Sequence, residues 1–125
     1  MRFEFAFDVQ NQIVPLIRRL GLDHIDPQRV VCFRSFGSRS KAKARIWALP
    51  RIWQKALNVA PHYCLEVLSE NFDHLSPAEQ TKVLIHELLH IPKTFSGALL
   101  PHRGRGGRVI NRRTVEALFQ KLGQR

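Results

Sequence analysis

At 125 residues the chain is sized for one folded domain spanning 1–125, with a core but no room for a second. No stretch reaches the ~20 apolar residues of a membrane span, and the charged start Met1-Arg2-Phe3-Glu4-Phe5 is unlike a secretory signal, so a cytoplasmic protein is expected. The formal net charge is +10, with Arg39, Lys41, Lys43 and Arg45 in one run and Arg103, Arg105, Arg108, Arg112 and Arg113 in another, a pattern that admits a nucleic-acid partner by counterion release.

Along the chain, Asp8 is placed to cap a first helix in which Val9, Ile13, Leu16, Ile17 and Leu20 follow helical spacing and Gly21 ends the run. Pro15 inside it predicts a kink or a shifted start. Val30 to Phe36 is β-branched and aromatic and reads as a strand, and Ala44 to Leu49 reads as a second. Gly37 to Lys43 between them is polar and basic, and the expected arrangement is a hairpin. Pro50 opens a short helix over Arg51 to Leu57. Tyr63 to Leu68 alternates as a third strand, expected to border the helix that follows. Cys32 and Cys64 both fall in strands and form no CxxC pair, so two free buried thiols are expected. Trp47 and Trp53 read as core or interface packing.

Ser76-Pro77-Ala78-Glu79 combines an N-cap hydroxyl, a proline at the first helical position and an acid at the third. The helix it starts carries Val83, Leu84, Ile85, Leu88, Leu89 and Ile91, and Pro92 stops it. Inside it stands His86-Glu87-Leu88-Leu89-His90. Residues four apart share a helix face, so the two imidazoles can converge on one metal ion, with Glu87 beside them to take a proton from a water. A Gly- and Arg-rich loop runs from Lys93 to Val109. A last helix from Asn111 to Leu122 buries Val115, Leu118, Phe119 and Leu122. The order predicts an α+β layer structure, a small antiparallel sheet with helices on one side.

A hydrolytic zinc site needs a third protein ligand and an open position for water. One common spacing would want a histidine at 96, which is Ser96; another wants an acid near 110, which is Ile110. His102, twelve residues past His90 across a loop with Pro92, Gly97 and Pro101, is the preferred candidate, with Glu116, His62 and His74 behind it. Glu116 is otherwise expected to pair with Arg112 or Arg113.

The pentad, followed by Pro101-His102 with Gly104 close behind and then a terminal helix, resembles the SprT-like zinc metalloproteases. The run Leu84-Ile85-His86 to Ile91-Pro92, with Gly97 and Pro101-His102, resembles more closely the small zinc metallopeptidases of phage and prokaryotic genomes. The resemblance covers about Ser76 to Leu122, and Arg103 interrupts the Pro-His-Gly pattern. It implies a minimal zincin-like domain, with His86, His90 and His102 on Zn2+, Glu87 catalytic and a peptide or protein as substrate. It also implies a peptidase that DNA can bring to its substrate. Two rivals stand beside it, a metal-dependent RNA- or DNA-processing hydrolase and a non-catalytic metal-containing module that binds nucleic acid. Glu87 directly after the first histidine counts against the first of these in favour of peptide hydrolysis, and the second would have its fourth coordination position filled by protein or inaccessible.

Overall fold

A computed structural model describes residues 1–104 and 109–123; Arg105 and Arg108 of the second basic run lie outside the described residues. The chain opens with a strand β1 (Arg2–Phe5) absent from the expectation above, because four residues alternating Arg-Phe-Glu-Phe carry almost no pattern by themselves. Helix α1 (Phe7–Arg19) follows, then β2 (Val30–Phe36), β3 (Ala44–Ala48) and α2 (Arg51–Leu57). Next come β4 (Tyr63–Leu68), a single helical turn α3 (Ser69–Phe72), α4 (Pro77–Leu89) and α5 (Arg112–Lys121).

The α+β composition agrees with the expectation, but the purely antiparallel sheet does not. The order is β1-β2-β4-β3, with β1 antiparallel to β2, β2 parallel to β4, and β3 antiparallel to β4. β2 and β3 therefore form no hairpin. The seven residues 37–43 carry the chain past the end of β4 to its far side, a crossing of two strand spacings that a tight turn could not span. α3 fastens this crossing: Asn71 Nδ2 donates to the carbonyls of Ser40 (2.9 Å) and Ala42 (2.7 Å), and the Gly37 N–H donates to Glu70 Oε1 (3.0 Å). β4 thus lies inside the sheet, and the edge strands are β1 and β3.

The register puts Val30, Cys32, Leu65, Val67 and Ala44 on one face, where they join Val9, Ile13, Leu16 and Ile17 of α1 and Leu84, Ile85 and Leu88 of α4 in a single core. Cys64 falls on the opposite face from Cys32, so the two thiols stay free. That outer face also holds Trp47, which is half exposed and donates from Nε1 to Glu66 Oε1 (2.8 Å); Trp53 is exposed too, so neither indole is core. α1 runs unbroken through Pro15, and its cap position is Ala6 rather than Asp8. Asp8 instead receives two hydrogen bonds from Arg34 (3.0 and 2.9 Å). None of the described helices is long and apolar enough to cross a membrane.

Candidate metal centre

Ser76 Oγ accepts from the Glu79 N–H (3.2 Å) at the start of α4, and the Glu79 carboxylate turns to Lys82 rather than back to Ser76, so only half of the capping box forms. The apolar stripe Leu84, Ile85 and Leu88 faces the core. That orientation leaves His86 half-buried on the other side. His90 is the C-cap residue and keeps right-handed helical geometry (φ −73°, ψ −12°). Four residues turn an α-helix through about 400°, so the two rings stay on one face, about 40° apart. Their centroids are 5.2 Å from each other.

The third ring comes from the loop after Pro92. His102 Nε2 lies 3.1 Å from His86 Nε2, and its ring centroid is 4.6 Å from that of His90. Each of the three residues presents one ring nitrogen, and these nitrogens lie within 4.8 Å of one another. Tetrahedral coordination at Zn–N ~2.0–2.1 Å needs nitrogens about 3.3 Å apart, so the His86–His102 pair already has the spacing of one edge. His90 Nδ1 donates to the Leu100 carbonyl (2.5 Å), which fixes the proton on that nitrogen and turns the lone pair of Nε2 to the other two rings. The donor set and its outer hydrogen bond therefore fit a divalent ion of zinc type. Glu116, His62 and His74 are outside this group. Glu116 pairs with Lys82 (2.9 Å), not with Arg112 or Arg113. His62 turns its Nδ1 to the Ala60 carbonyl (2.7 Å), and His74 is exposed.

The loop that delivers His102 is tied down at several points. The Tyr63 hydroxyl donates to the Ala98 carbonyl (2.8 Å) and accepts from the Gly97 N–H (2.9 Å), while its ring tilts against Phe95 at 5.1 Å. Gln54 Nε2 donates to Leu49 O (2.8 Å) and Ser96 O (3.0 Å). Gly97 sits at φ +94°, and a Cβ there would come within 2.2 Å of Gln54 Nε2 and 2.5 Å of Leu49 O, so only glycine fits. The Leu100 N–H donates to His90 O (2.7 Å), the Ile110 N–H to His102 O (2.7 Å), and His24 Nε2 to Ile91 O (3.1 Å). Tyr63, Gln54 and His24 thus build the site without touching its centre. Nothing in their local sequence distinguishes them from ordinary core and surface residues.

Glu87 stands one position on from His86, and burial pushes its carboxyl up to about 7. Burial, then the neighbouring His90 and His102 rings, lowers the pKa of His86, favouring the neutral imidazole that a metal requires. His86 and Glu87 open on a cleft of about 680 Å³ whose walls are α4, the residues leading into β3, and the start of α5. A second cavity of about 870 Å³, apolar and lined by Leu22, Leu88, Leu100 and Leu118, lies behind the loop and contains none of the three histidines. Among the strands, helix α4 packs chiefly against edge strand β3 rather than the expected β4, and Ala44 at the start of β3 lines the cleft.

Neither a curated protein nor a solved structure matches the chain significantly. The model of the family described as "Putative phage metallopeptidase" matches residues 1–121, almost the whole length, and the chain belongs to that family.

Proposed function

We propose that this chain is a zinc-dependent peptidase of HExxH type, with His86, His90 and His102 as metal ligands and Glu87 as general base, in one minimal zincin-like domain. The observation that carries the reading is the convergence of three imidazole nitrogens from α4 and its following loop, with a half-buried carboxyl beside the first of them. The turn at Pro101-His102, similar to that of SprT-like proteases, supports the same ligand set.

When bound, zinc supplies Lewis acidity towards a peptide carbonyl and lowers the pKa of a water towards ~7. Glu87 takes the proton of the attacking water and delivers it to the leaving amine. A carboxyl whose burial sets it near neutrality suits both transfers. The Leu100 carbonyl holds His90 in one tautomer throughout. Ala44, the first residue of edge strand β3, lines the cleft, and the unpaired backbone groups of that edge can align an extended peptide entering there by strand addition. Tyr63 is not the group that stabilises the oxyanion, because its hydroxyl is fully engaged by Gly97 and Ala98.

The test is Glu87→Gln in the zinc-loaded protein: metal content unchanged, casein cleavage lost. Cleavage at the wild-type rate would remove Glu87 from the mechanism. A second reading, metal-dependent processing of RNA or DNA, draws on the +10 charge alone. Labelled RNA offered beside casein separates the two, and the peptidase reading expects casein alone to be cut.

A further inference from the structure

The basic runs are the one sequence feature the proposed reaction does not use, and the fold distributes them. Arg45 leaves the first run for the outer face of the sheet, where its Nη2 lies 3.1 Å from Glu66 Oε2. Arg103 of the second run lines the apolar cavity. Lys41 and Lys43 from the first run, and Arg112 from the second, line opposite walls of the cleft that holds His86 and Glu87. All three are exposed, and no carboxylate lies within 4.0 Å of any of them among the described residues. The remaining charged groups in the cleft are one cation, Lys82, among three carboxylates, Glu79, Glu87 and Glu116. Lys82 reaches Glu116 (2.9 Å) and Glu79 (3.9 Å), and stacks its ammonium over Phe119 at 4.8 Å.

Resting on the peptidase reading, we infer that the cleft selects peptide segments bearing Asp or Glu on either side of the bond to be cut, received by Lys41 and Lys43 at one wall and Arg112 at the other. Lys43 directly precedes Ala44, the first residue of β3, so a strand laid on that edge brings an acidic side chain beside it. The same geometry disfavours a nucleic acid strand. A phosphate chain carries one charge about every 3.4 Å. It would meet the carboxylates of Glu79, Glu87 and Glu116 in this cleft, with no continuous basic stripe to follow among the described residues. A peptide places its few charges at separate points and avoids them.

The experiment uses the full-length, zinc-loaded Glu87→Gln variant, so that turnover does not consume the probe. Binding of labelled decapeptides is followed by anisotropy, with the same alternate positions occupied by Glu, Gln or Lys. The Glu peptide should bind roughly tenfold more tightly than the Gln peptide at low salt, the preference shrinking as salt screens it. Lys41→Glu/Lys43→Glu should reverse the order in favour of the Lys peptide, and Lys41→Gln/Lys43→Gln should reduce the preference without reversing it. Equal binding of the three peptides overturns the inference. So does a single-stranded oligonucleotide of equal charge that binds more tightly than the Glu peptide. Initial rates of the wild type on quenched versions of the same peptides keep the two ideas apart. Preferential binding with no cleavage would sink the peptidase reading and leave the acidic preference standing. Cleavage with no charge preference would do the reverse.

Discussion

Replacing Tyr63 by Phe isolates one oxygen atom. Tyr63 is 1% exposed, and its ring keeps its contact with Phe95 in the variant, so no cavity larger than the hydroxyl opens. Two hydrogen bonds disappear, with unequal consequences. Ala98 is exposed, so its carbonyl turns to water at little cost. Gly97 is buried, and its N–H loses its partner. A stranded buried donor costs about 1–3 kcal/mol, so Tyr63→Phe should lose about 2 kcal/mol in urea unfolding of the metal-free protein. That loss falls on the loop which supplies the Leu100 carbonyl to His90 and the ring of His102. If it is spent wholly on loop opening, zinc affinity drops by roughly thirtyfold, at about 1.4 kcal/mol per factor of ten. Chelator competition measures it. A variant within about 0.5 kcal/mol of wild type in stability, with unchanged zinc affinity, would refute the anchoring role. A fall in kcat alone would move the hydroxyl to the reacting carbonyl.

Gly97→Ala should be at least as damaging, by about 2–4 kcal/mol, since it forces a side chain into φ +94° and drives its Cβ onto Gln54 Nε2 and the Leu49 carbonyl oxygen; thermal unfolding reports it. His102→Ala should leave no bound zinc after dialysis, whereas Glu116→Ala should retain one equivalent by elemental analysis, because that carboxylate is engaged by Lys82 outside the histidine group. For acid stability, the hydrogen bonds from Arg34 hold the Asp8 carboxyl below its ordinary 3.8. Burial raises that of Glu66, but the Arg45 and Trp47 contacts overcome this and hold it below 4.5. Both groups have depressed folded values, so their stabilisation is present above the unfolded values and is lost as pH falls through the folded ones. Melting temperature should therefore fall steeply below about pH 4, and Arg45→Met should flatten that fall while lowering stability at pH 7.

The elements legible from sequence are those whose signals are local. Val30–Phe36 is rich in β-branched and aromatic residues and Tyr63–Leu68 alternates, and both strands appear with those bounds. Pro50 and Asn111 open α2 and α5, the latter through a complete box in which Asn111 Oδ1 accepts from Thr114 N–H (3.0 Å) and Thr114 Oγ1 accepts from Asn111 N–H (2.9 Å). Strand partners are not local. Nothing in Gly37–Lys43 records that the chain must pass β4 to reach the far edge; the crossing is specified by Asn71 and Glu70, some thirty residues away. The same holds at the site. The spacing of His86 and His90 follows from helix geometry, and the prolines and Gly97 mark a returning loop. Tyr63 and Gln54, which decide where that loop lies, act across the fold and leave no pattern. The convergence of Lys41, Lys43 and Arg112 is likewise written only in the sheet order.

Two of the three histidines are placed by one helix, and the third depends on a loop whose hydrogen bonds lead back to α4, β4 and α2. Loop order and metal affinity therefore belong to one equilibrium. Any group that binds all three rings stabilises the closed loop by its own binding free energy, and any contact that closes the loop strengthens metal binding equally. The His90–Leu100 pair is the hinge of this coupling. Leu100 accepts from His90 Nδ1 through its carbonyl and donates its N–H to the carbonyl of the same residue, so ring orientation and loop position are fixed by one reciprocal contact. A site of this kind should lose zinc and loop protection together. Amide exchange at Gly97 and Leu100, measured with and without chelator, should accelerate in step with metal release, whereas exchange at Leu65 in the sheet core should not.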